Sequence, residues 1–353
     1  VFLERLTLYS FRLYQDLVFE PAPGVNLLLG PNGAGKTALL EAAHLLSAAR
    51  SFRARRESEL VRWGQPACRV EGVFRTDKGR SRNLSLTWTR SQGEWTKAAT
   101  FQGDKVPRLA DFLGCVPCSL FTPDDLDLVA GSPTVRRRYL DLQLSKTVPA
   151  HLLDLAQLKK VLSARNSVLR QGRPRRELAP WETLLFDLSV RIGERRERLV
   201  EELNQICRDY HQSLAGDSGI TLRYRRCWPV EREEFLQRLR DLYDKERQQG
   251  TTLLSPQKDE LEIDNEGRSL RLYGSQGQQR TLALCLRLAE ARSLSQHQGE
   301  GAILLLDDVL SELDPERRER LLALLPEFAQ VMVTSAAPVD WSGPHHAHQI
   351  SAS

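Results

Sequence analysis

Gly30-Pro31-Asn32-Gly33-Ala34-Gly35-Lys36-Thr37 decides the fold. Two glycines bracket four residues and Lys-Thr follows, the spacing of a phosphate-cradling P-loop. Outward on the N-terminal side, Val25 to Leu29 is apolar apart from Asn26, long enough for a buried strand. On the other side, Ala38 to Leu46 is built mostly of good helix formers. Strand, glycine loop and helix in that order gather backbone N–H groups and a helix N-terminus around a phosphate chain. In that arrangement Lys36 is expected to reach the β- and γ-phosphates, and the Thr37 hydroxyl to hold Mg²⁺.

Two later stretches complete the pattern. Ile303-Leu304-Leu305-Leu306-Asp307-Asp308 predicts a buried strand ending in two acids. Asp307 stands where a nucleotide site needs an acid to hold Mg²⁺, directly or through water. Asp308 is placed to orient or deprotonate an attacking water. Adjacent carboxylates at a strand end are costly without a cation or strong donors, which argues against a purely structural role. Ser275-Gln276-Gly277-Gln278 opens a predicted helix, where a hydroxyl, N–H groups and a positive helix end form an anion site. The P-loop already surrounds the phosphates on one side. The second anion site is therefore expected to serve a nucleotide held by another copy of the chain. A helix cap alone would explain the serine but not the run of glutamines.

The bulk numbers set the class. The chain has 353 residues, 27% charged and 41% hydrophobic, ordinary for a folded soluble protein with room for two domains. A net charge of +4 leaves room for local basic faces but does not by itself argue for nucleic acid. No apolar run is long enough for a membrane span. Val1-Phe2-Leu3-Glu4-Arg5 carries an early acid and does not read as a secretion signal. The cysteines are scattered, as expected for reduced thiols in a cytoplasm. Cys115 and Cys118 lack the second pair a zinc site wants and read as small apolar residues at a strand start. His345-His346-Ala347-His348 has no acid or cysteine beside it and reads as a mobile tail.

Around the P-loop the text alternates between strand-like and helical. Phe2 to Tyr9 and Leu17 to Phe19 predict a small antiparallel start; Arg69 to Phe74 and Asn83 to Thr89 predict two more strands. The loop Arg50-Ser51-Phe52-Arg53-Ala54-Arg55-Arg56 is either a solvated connector or a contact to phosphate or base. From Ser132 to about Gly250 the chain is helical and charge-rich. Leu155, Leu158, Leu162 and Leu169 share one face, as do Trp181, Leu184, Leu185, Leu188 and Ile192, continued by Leu199, Leu203 and Ile206. These faces flank the bend Gln171-Gly172-Arg173-Pro174, the pattern of a helical hairpin. The expected class is α/β, with a mixed central sheet and an antiparallel N-terminal subdomain. Residues 1–131 and 251–353 form the head, and 132–250 an inserted helical arm.

These residues resemble the ABC-type ATPase heads of the SMC-like branch and, more closely, the RecF family of bacterial recombination mediators. The resemblance runs nearly end to end. It includes Phe11-Arg12-Leu13-Tyr14, the P-loop with Leu40-Glu41-Ala42, and Phe121-Thr122-Pro123-Asp124-Asp125-Leu126. Gly131-Ser132-Pro133 with Arg136-Arg137-Arg138-Tyr139-Leu140-Asp141 follows, then the specific Ser275-Gln276-Gly277-Gln278-Gln279-Arg280. Leu306-Asp307-Asp308 with Ser311-Glu312-Leu313-Asp314 resembles the Walker B and D-loop pair. The resemblance implies an ABC-type P-loop ATPase head with ATP and Mg²⁺ as cofactors. It implies that Gly30 to Thr37 and Arg12 bind ATP, that Thr37 and Asp307 hold the metal, and that Lys36, Asp307 and Asp308 are catalytic. Ser275, Gln276, Gly277 and Gln278 would act on the ATP of a second copy. It further implies ATP-dependent homodimers on DNA, a weak DNA-stimulated ATPase used as a switch, and RecO and RecR as partners. The setting would be gap repair, RecA loading and replication restart in the cytoplasm.

The family usually has Pro-His-Arg-Asp-Asp before the signature; here Pro256-Gln257-Lys258-Asp259-Glu260 stands there. ABC heads commonly carry a switch histidine after the last core strand, where this chain has Thr334-Ser335. With aspartate rather than glutamate at position 308, slow hydrolysis is expected. Candidate DNA contacts are Arg136, Arg137 and Arg138, and Arg173, Arg175 and Arg176, with further arginines at 165, 170, 191, 195 and 196. They are either non-specific phosphate contacts or solvated faces balanced by glutamates. Two other classes compete. A transporter's ATPase subunit would need a membrane partner and the switch histidine, and no helical insertion. An ATPase-coupled nuclease would need an added acidic metal cluster.

Overall fold

The structure is a computed structural model and describes residues 1–351. Its strands are β1 (Phe2–Phe11), β2 (Tyr14–Phe19), β3 (Gly24–Leu29), β4 (Ala67–Arg75), β5 (Ser81–Ser91), β6 (Glu94–Phe101), β7 (Asp104–Lys105), β8 (Cys118–Phe121), β9 (Ile220–Arg225), β10 (Glu260–Asn265), β11 (Arg268–Ser269), β12 (Ile303–Leu306), β13 (Gln330–Ser335) and β14 (His345–Gln349). The α-helices are α1 (Lys36–Ala48), α2 (Leu126–Ala130), α3 (Pro133–Thr147), α4 (Pro149–Arg170), α5 (Ala179–Ala215), α6 (Arg232–Asp241), α7 (Tyr243–Gln249), α8 (Leu270–Tyr273), α9 (Gln276–Gln298) and α10 (Pro315–Leu324). The chain divides into two compact units. One holds Val1–Leu126, Ile206–Ser218 and the residues from Ser275 onward; the other holds Asp127–Gln205 and Gly219–Gly274.

The first unit is built on two sheets. Six strands in the order β2-β1-β4-β5-β6-β7 pair antiparallel. In β1, Leu6 and Leu8 are buried and Arg5 and Tyr9 exposed, the alternation of a sheet with one covered face. Five strands in the order β14-β3-β13-β12-β8 pair parallel. Their central members, Ile303–Leu306 and Gln330–Thr334, are buried residue after residue, as a parallel sheet covered on both faces requires. Helix α1 packs against both sheets. Its Leu39, Leu40, Leu45 and Leu46 share a core with Leu6 and Leu8, with Val70 and Trp88, and with Leu305 and Met332. A helix enclosed this way must be apolar nearly all round, which its composition satisfies.

The parallel register sets the site. Leu306 lies beside Phe121 on one side and Val333 on the other, so β12 delivers Asp307 next to Thr334 at the carboxyl end of the sheet. The next strand over, β3, pairs Leu29 with Ser335 and delivers the P-loop to the same edge. Ligands of open α/β sheets gather at such strand ends.

One expectation needs correction here, and one strand had not been read. His345–Gln349 is not a mobile tail but the edge strand β14, paired parallel with the P-loop strand. His348 anchors it: a ring nitrogen lies 3.0 Å from Asn26 Oδ1, and the imidazole stands edge-on to Phe19. Burial and the neighbouring His346 charge lower the His348 pKa. The sequence also under-read Glu94–Phe101, a full strand paired with β5 from Leu84 to Ser91.

The second unit holds the helical hairpin. Leu158, Val161 and Leu162 of α4 pack with Leu185, Leu188 and Ile192 of α5, and Trp228, Phe235 and Leu239 close the cluster. Within it, Arg165 is fully buried, donating to Glu246 at 2.6 Å and to the Thr252 hydroxyl at 2.8 Å. Strands β11-β10-β9 form an antiparallel sheet of three. Asp259, fully buried, accepts from the Tyr224 hydroxyl at 2.5 Å, the Trp228 indole at 3.1 Å and the Cys227 N–H at 2.9 Å. This explains why an acid stands in Pro256-Gln257-Lys258-Asp259-Glu260: a buried carboxylate there satisfies three donors, the buried Trp228 indole among them.

Candidate nucleotide site

The P-loop is shaped by what its glycines touch. Gly35 caps α1 with φ at 103°, and a Cβ there would sit 2.3 Å from the Tyr14 hydroxyl. A Cβ on Gly30 would sit 2.2 Å from the Ile350 carbonyl oxygen. The Lys36 ammonium folds back over the loop and donates to the Gly30 and Pro31 carbonyls at 2.5 and 2.9 Å. Beside it, Thr37 donates its hydroxyl to Asp307 Oδ1 at 2.9 Å. P-loop and strand-end acid therefore meet, as the motif spacing predicts.

A cavity of about 520 Å³ opens over these groups. Arg12, Asn32, Gly33, Gly35, Lys36, Thr37, Arg53, Glu59, Asp307, Asp308 and Thr334 are among the residues that line it. Gly30, Pro31 and Ala34 act through the loop's shape instead: Ala34 N–H donates to the Pro31 carbonyl at 3.2 Å. The lining carries Arg12, Lys36 and Arg53 against Glu59, Asp307 and Asp308, so the site is mixed in charge. Asp307 is 8% exposed. Burial raises its pKa; bonds from the Thr334 and Thr37 hydroxyls and the Arg53 charge oppose the rise, and Asp308 adds to it. Asp308 is exposed and holds a left-handed backbone with φ at 51°. A non-glycine residue in that conformation needs a local hold.

Some of the architecture around the cavity was not read from sequence. Arg12 lines it, but its guanidinium is already engaged. Nε and Nη2 donate to the two Glu41 carboxylate oxygens at 2.8 and 2.7 Å, and Nη1 donates to the Glu59 carbonyl at 2.7 Å. Glu41 is fully buried and also accepts from the Ser51 hydroxyl. Ser51 Oγ in turn accepts the N–H of Arg53 at 2.9 Å and of Ala54 at 2.7 Å. The basic loop is thus folded onto α1, and of its arginines Arg53 reaches the cavity lining. The only hint of Glu41's part was its place in Leu40-Glu41-Ala42.

The signature serine caps α9. Its Oγ accepts the Gln278 N–H at 3.3 Å, while the Gln278 side chain accepts the Ser275 N–H at 2.9 Å. This reciprocal capping box accounts for Gln278, contrary to the expectation that a helix cap leaves the glutamines unexplained. Ser275, Gln276, Gly277 and Gln278 do not line the cavity formed by the P-loop of the same chain.

Residues 2–346 match the family described as RecF/RecN/SMC N terminal domain. The DNA replication and repair protein RecF of Halalkalibacterium halodurans is 37% identical over 346 residues, covering 94% of this chain and 92% of that protein. The chain belongs to the RecF family. A solved structure of the recombination mediator protein RecF-ATP in the RecFOR pathway superposes with a TM-score of 0.88 at 30% identity, covering 98% of this chain and 95% of that one. The Smc head domain of Pyrococcus furiosus, solved with an extended coiled coil and bound to the C-terminal domain of ScpA, matches with a TM-score of 0.55 at 16% identity. That match covers 95% of this chain and 90% of that one, and the likeness speaks to the fold alone. The fold is the α/β ABC-type ATPase head that RecF and SMC heads share.

The arginines singled out for DNA divide sharply. Arg136 is 3% exposed, donating to Glu260 at 2.8 Å and to the Gly131 carbonyl at 3.0 Å. It holds the second unit together and has no surface to offer a phosphate, which corrects its reading as a contact. Arg137 is half-buried on the Asp259 carbonyl at 2.7 Å. Arg196 is buried on Asp141, and Arg191 and Arg195 share Asp154. Arg138, Arg173 and Arg176 are exposed; Arg173 and Arg175 stand 3.4 Å from Glu177 and Glu182. Among the described residues, no group of three or more His, Cys, Asp or Glu is arranged to hold a metal, and no helix is long and apolar enough to cross a membrane.

Proposed function

We propose that this protein is an ATP-dependent, DNA-binding recombination mediator of the RecF kind. ATP binding drives head-to-head dimerisation on DNA, and slow hydrolysis resets the dimer. The observation that carries this reading is the Thr37–Asp307 bond of 2.9 Å, which closes the P-loop onto the strand-end acid inside a cavity of about 520 Å³. A triphosphate with Mg²⁺ fits those donors. A magnesium ion takes one or two protein oxygens alongside phosphate and water, and Thr37 Oγ1 with Asp307 Oδ1 supplies such a pair. When bound, the cation neutralises phosphate charge and polarises the γ-phosphoryl group.

The chain's own residues do the rest. The P-loop N–H groups and Lys36 hold the β- and γ-phosphates, for which Lys36 leaves the Gly30 and Pro31 carbonyls. Asp308, exposed on the cavity lining, orients or deprotonates the attacking water. Arg12, held by Glu41, lines the ATP pocket, and Arg53 faces the same space. Ser275 to Gln278 lie apart from the cavity of their own chain, which supports their use on the ATP of a second copy. The exposed Arg173 and Arg176 with the half-exposed Arg175 are the remaining DNA candidates, and Arg138 stands exposed on another helix. RecO and RecR as partners, RecA loading, DNA stimulation and a cytoplasmic setting complete the proposal. So does the division into a head (1–131, 251–353) and an arm (132–250), although 206–218 belong to the first compact unit and 251–274 to the second.

The test is a titration of single-stranded, gapped and duplex DNA against dimer formation in ATP, in ADP and without nucleotide, read by sedimentation. Dimers that form with ATP, bind DNA and lose it steeply as salt rises are expected. Monomers under every condition would overturn the reading.

A further inference from the structure

We infer that Thr334 is the positioning residue of the acid pair, an inference that rests on the ATPase reading above. It stands on β13, 1% exposed, beside the end of β12. A hydroxyl has one proton to give and lone pairs to receive. Thr334 uses both: it donates to Asp307 Oδ1 at 2.8 Å and accepts the Asp308 N–H at 2.8 Å. One side chain therefore fixes the carboxylate of the first acid and the backbone of the second. The second bond matters because Asp308 sits in the left-handed region, and its N–H bond to Thr334 ties that backbone to β13. The next residue continues the link, since the Ser335 carbonyl accepts the Gly30 N–H at 3.3 Å. The last two positions of β13 thus connect the first P-loop residue to both acids.

Thr37 and Thr334 share Asp307 Oδ1. When the Thr37 oxygen turns its lone pairs to a cation, its proton leaves that carboxylate. The Thr334 bond remains to hold Asp307 in place. In this role Thr334 acts through the two acids.

The test compares Thr334→Val, Thr334→Ser and wild type in the full chain with ATP and Mg²⁺. Valine keeps the branched shape that suits a buried strand and removes both bonds; serine keeps both bonds. Expected are a fall in kcat of about 10- to 100-fold for Thr334→Val, typical of losing a supporting bond at a metal site, and recovery of most of it by Thr334→Ser. Affinity for a fluorescent ATP analogue should change by less than about 3-fold, since the group acts after binding. If Thr334→Val does not fold, as read by thermal unfolding, Thr334→Ala against Thr334→Ser makes the same comparison. Turnover by Thr334→Val at the wild-type rate overturns the inference, as does a serine variant as slow as valine. Wild type that never hydrolyses ATP overturns the ATPase reading itself and this inference with it.

Discussion

Thr37 and Asp307, 270 positions apart in the chain, meet at 2.9 Å. Asp307 also takes the Thr334 hydroxyl, so a largely buried carboxylate collects two donors at the mouth of the P-loop. Its pKa is raised, chiefly by burial. For such a group the folded state holds the proton more tightly than the unfolded chain. The resulting stability is present below the ordinary carboxylate pKa and is lost as pH rises through the folded value.

Asp307→Asn and Lys36→Arg should both abolish ATP turnover. Asp307→Asn should in addition raise the thermal midpoint of the nucleotide-free protein at neutral pH, because it removes an ionised carboxylate that burial disfavours. Calorimetry without nucleotide reads this directly, and a lower midpoint for the variant would contradict it.

Ser275→Arg should leave nucleotide binding by the monomer unchanged while stopping both dimerisation and hydrolysis. The serine lies outside the cavity of its own chain, so a bulky cation there disturbs a partner's phosphates and, in its own chain, the α9 cap but not the nucleotide pocket. Sedimentation with ATP checks it; a variant dimer as stable as wild type would remove the serine from the second copy's site.

In the second unit, charge burial predicts which arginine partners matter. Arg165 and Glu246 are each 0% exposed and 2.6 Å apart. Glu246→Ala removes the nearer of two carboxylates on Arg165, leaving Glu182 at 3.5 Å, and should cost about 3 kcal/mol. Arg173→Ala breaks only an exposed pair with Glu177 and should cost no more than about 0.5 kcal/mol. Urea unfolding monitored in the hairpin separates the two. Equal midpoints would mean that the buried pair contributes no more than the exposed one.

Acid should unfold the second unit through Asp141. Burial pushes this carboxyl up, but the bonds from His151 and Arg196 and the Arg196 charge more than offset it, leaving the pKa lowered. A depressed carboxylate contributes stability that is full above the ordinary carboxylate pKa and is lost as pH falls through the folded value. Asp141→Asn should therefore flatten the acid side of the stability profile measured by denaturant midpoints across pH. A variant with an unchanged acid limb would rule Asp141 out as the cause.

The parts of this fold legible in sequence were those written in local periodicity. Gly30 to Thr37 with its flanks, and Ile303 to Asp308, announce strand, loop and acid within a few residues of each other. Glu41 did not announce itself, because its partner Arg12 is 29 positions away on another element. Arg136-Arg137-Arg138 reads as one basic cluster, yet successive helical positions point about 100° apart, and that rotation buries the first while exposing the third. β14 was missed because His-His-Ala-His has none of the branched residues that mark strands. Its pairing comes from the open backbone edge of β3 and from His348 on Asn26.

That edge pairing has a consequence for synthesis. The strand leading into the P-loop is made early, but both of its neighbours, β13 and β14, are encoded some 300 residues later. The antiparallel sheet needs only residues 2–105, in hairpins joined by the β1–β4 pairing, and can assemble first as the chain leaves the ribosome. The pocket must wait. Until β13 and β14 emerge, the glycine loop has neither the Ser335 carbonyl nor the Ile350 carbonyl against it, so ligand competence waits for those two strands.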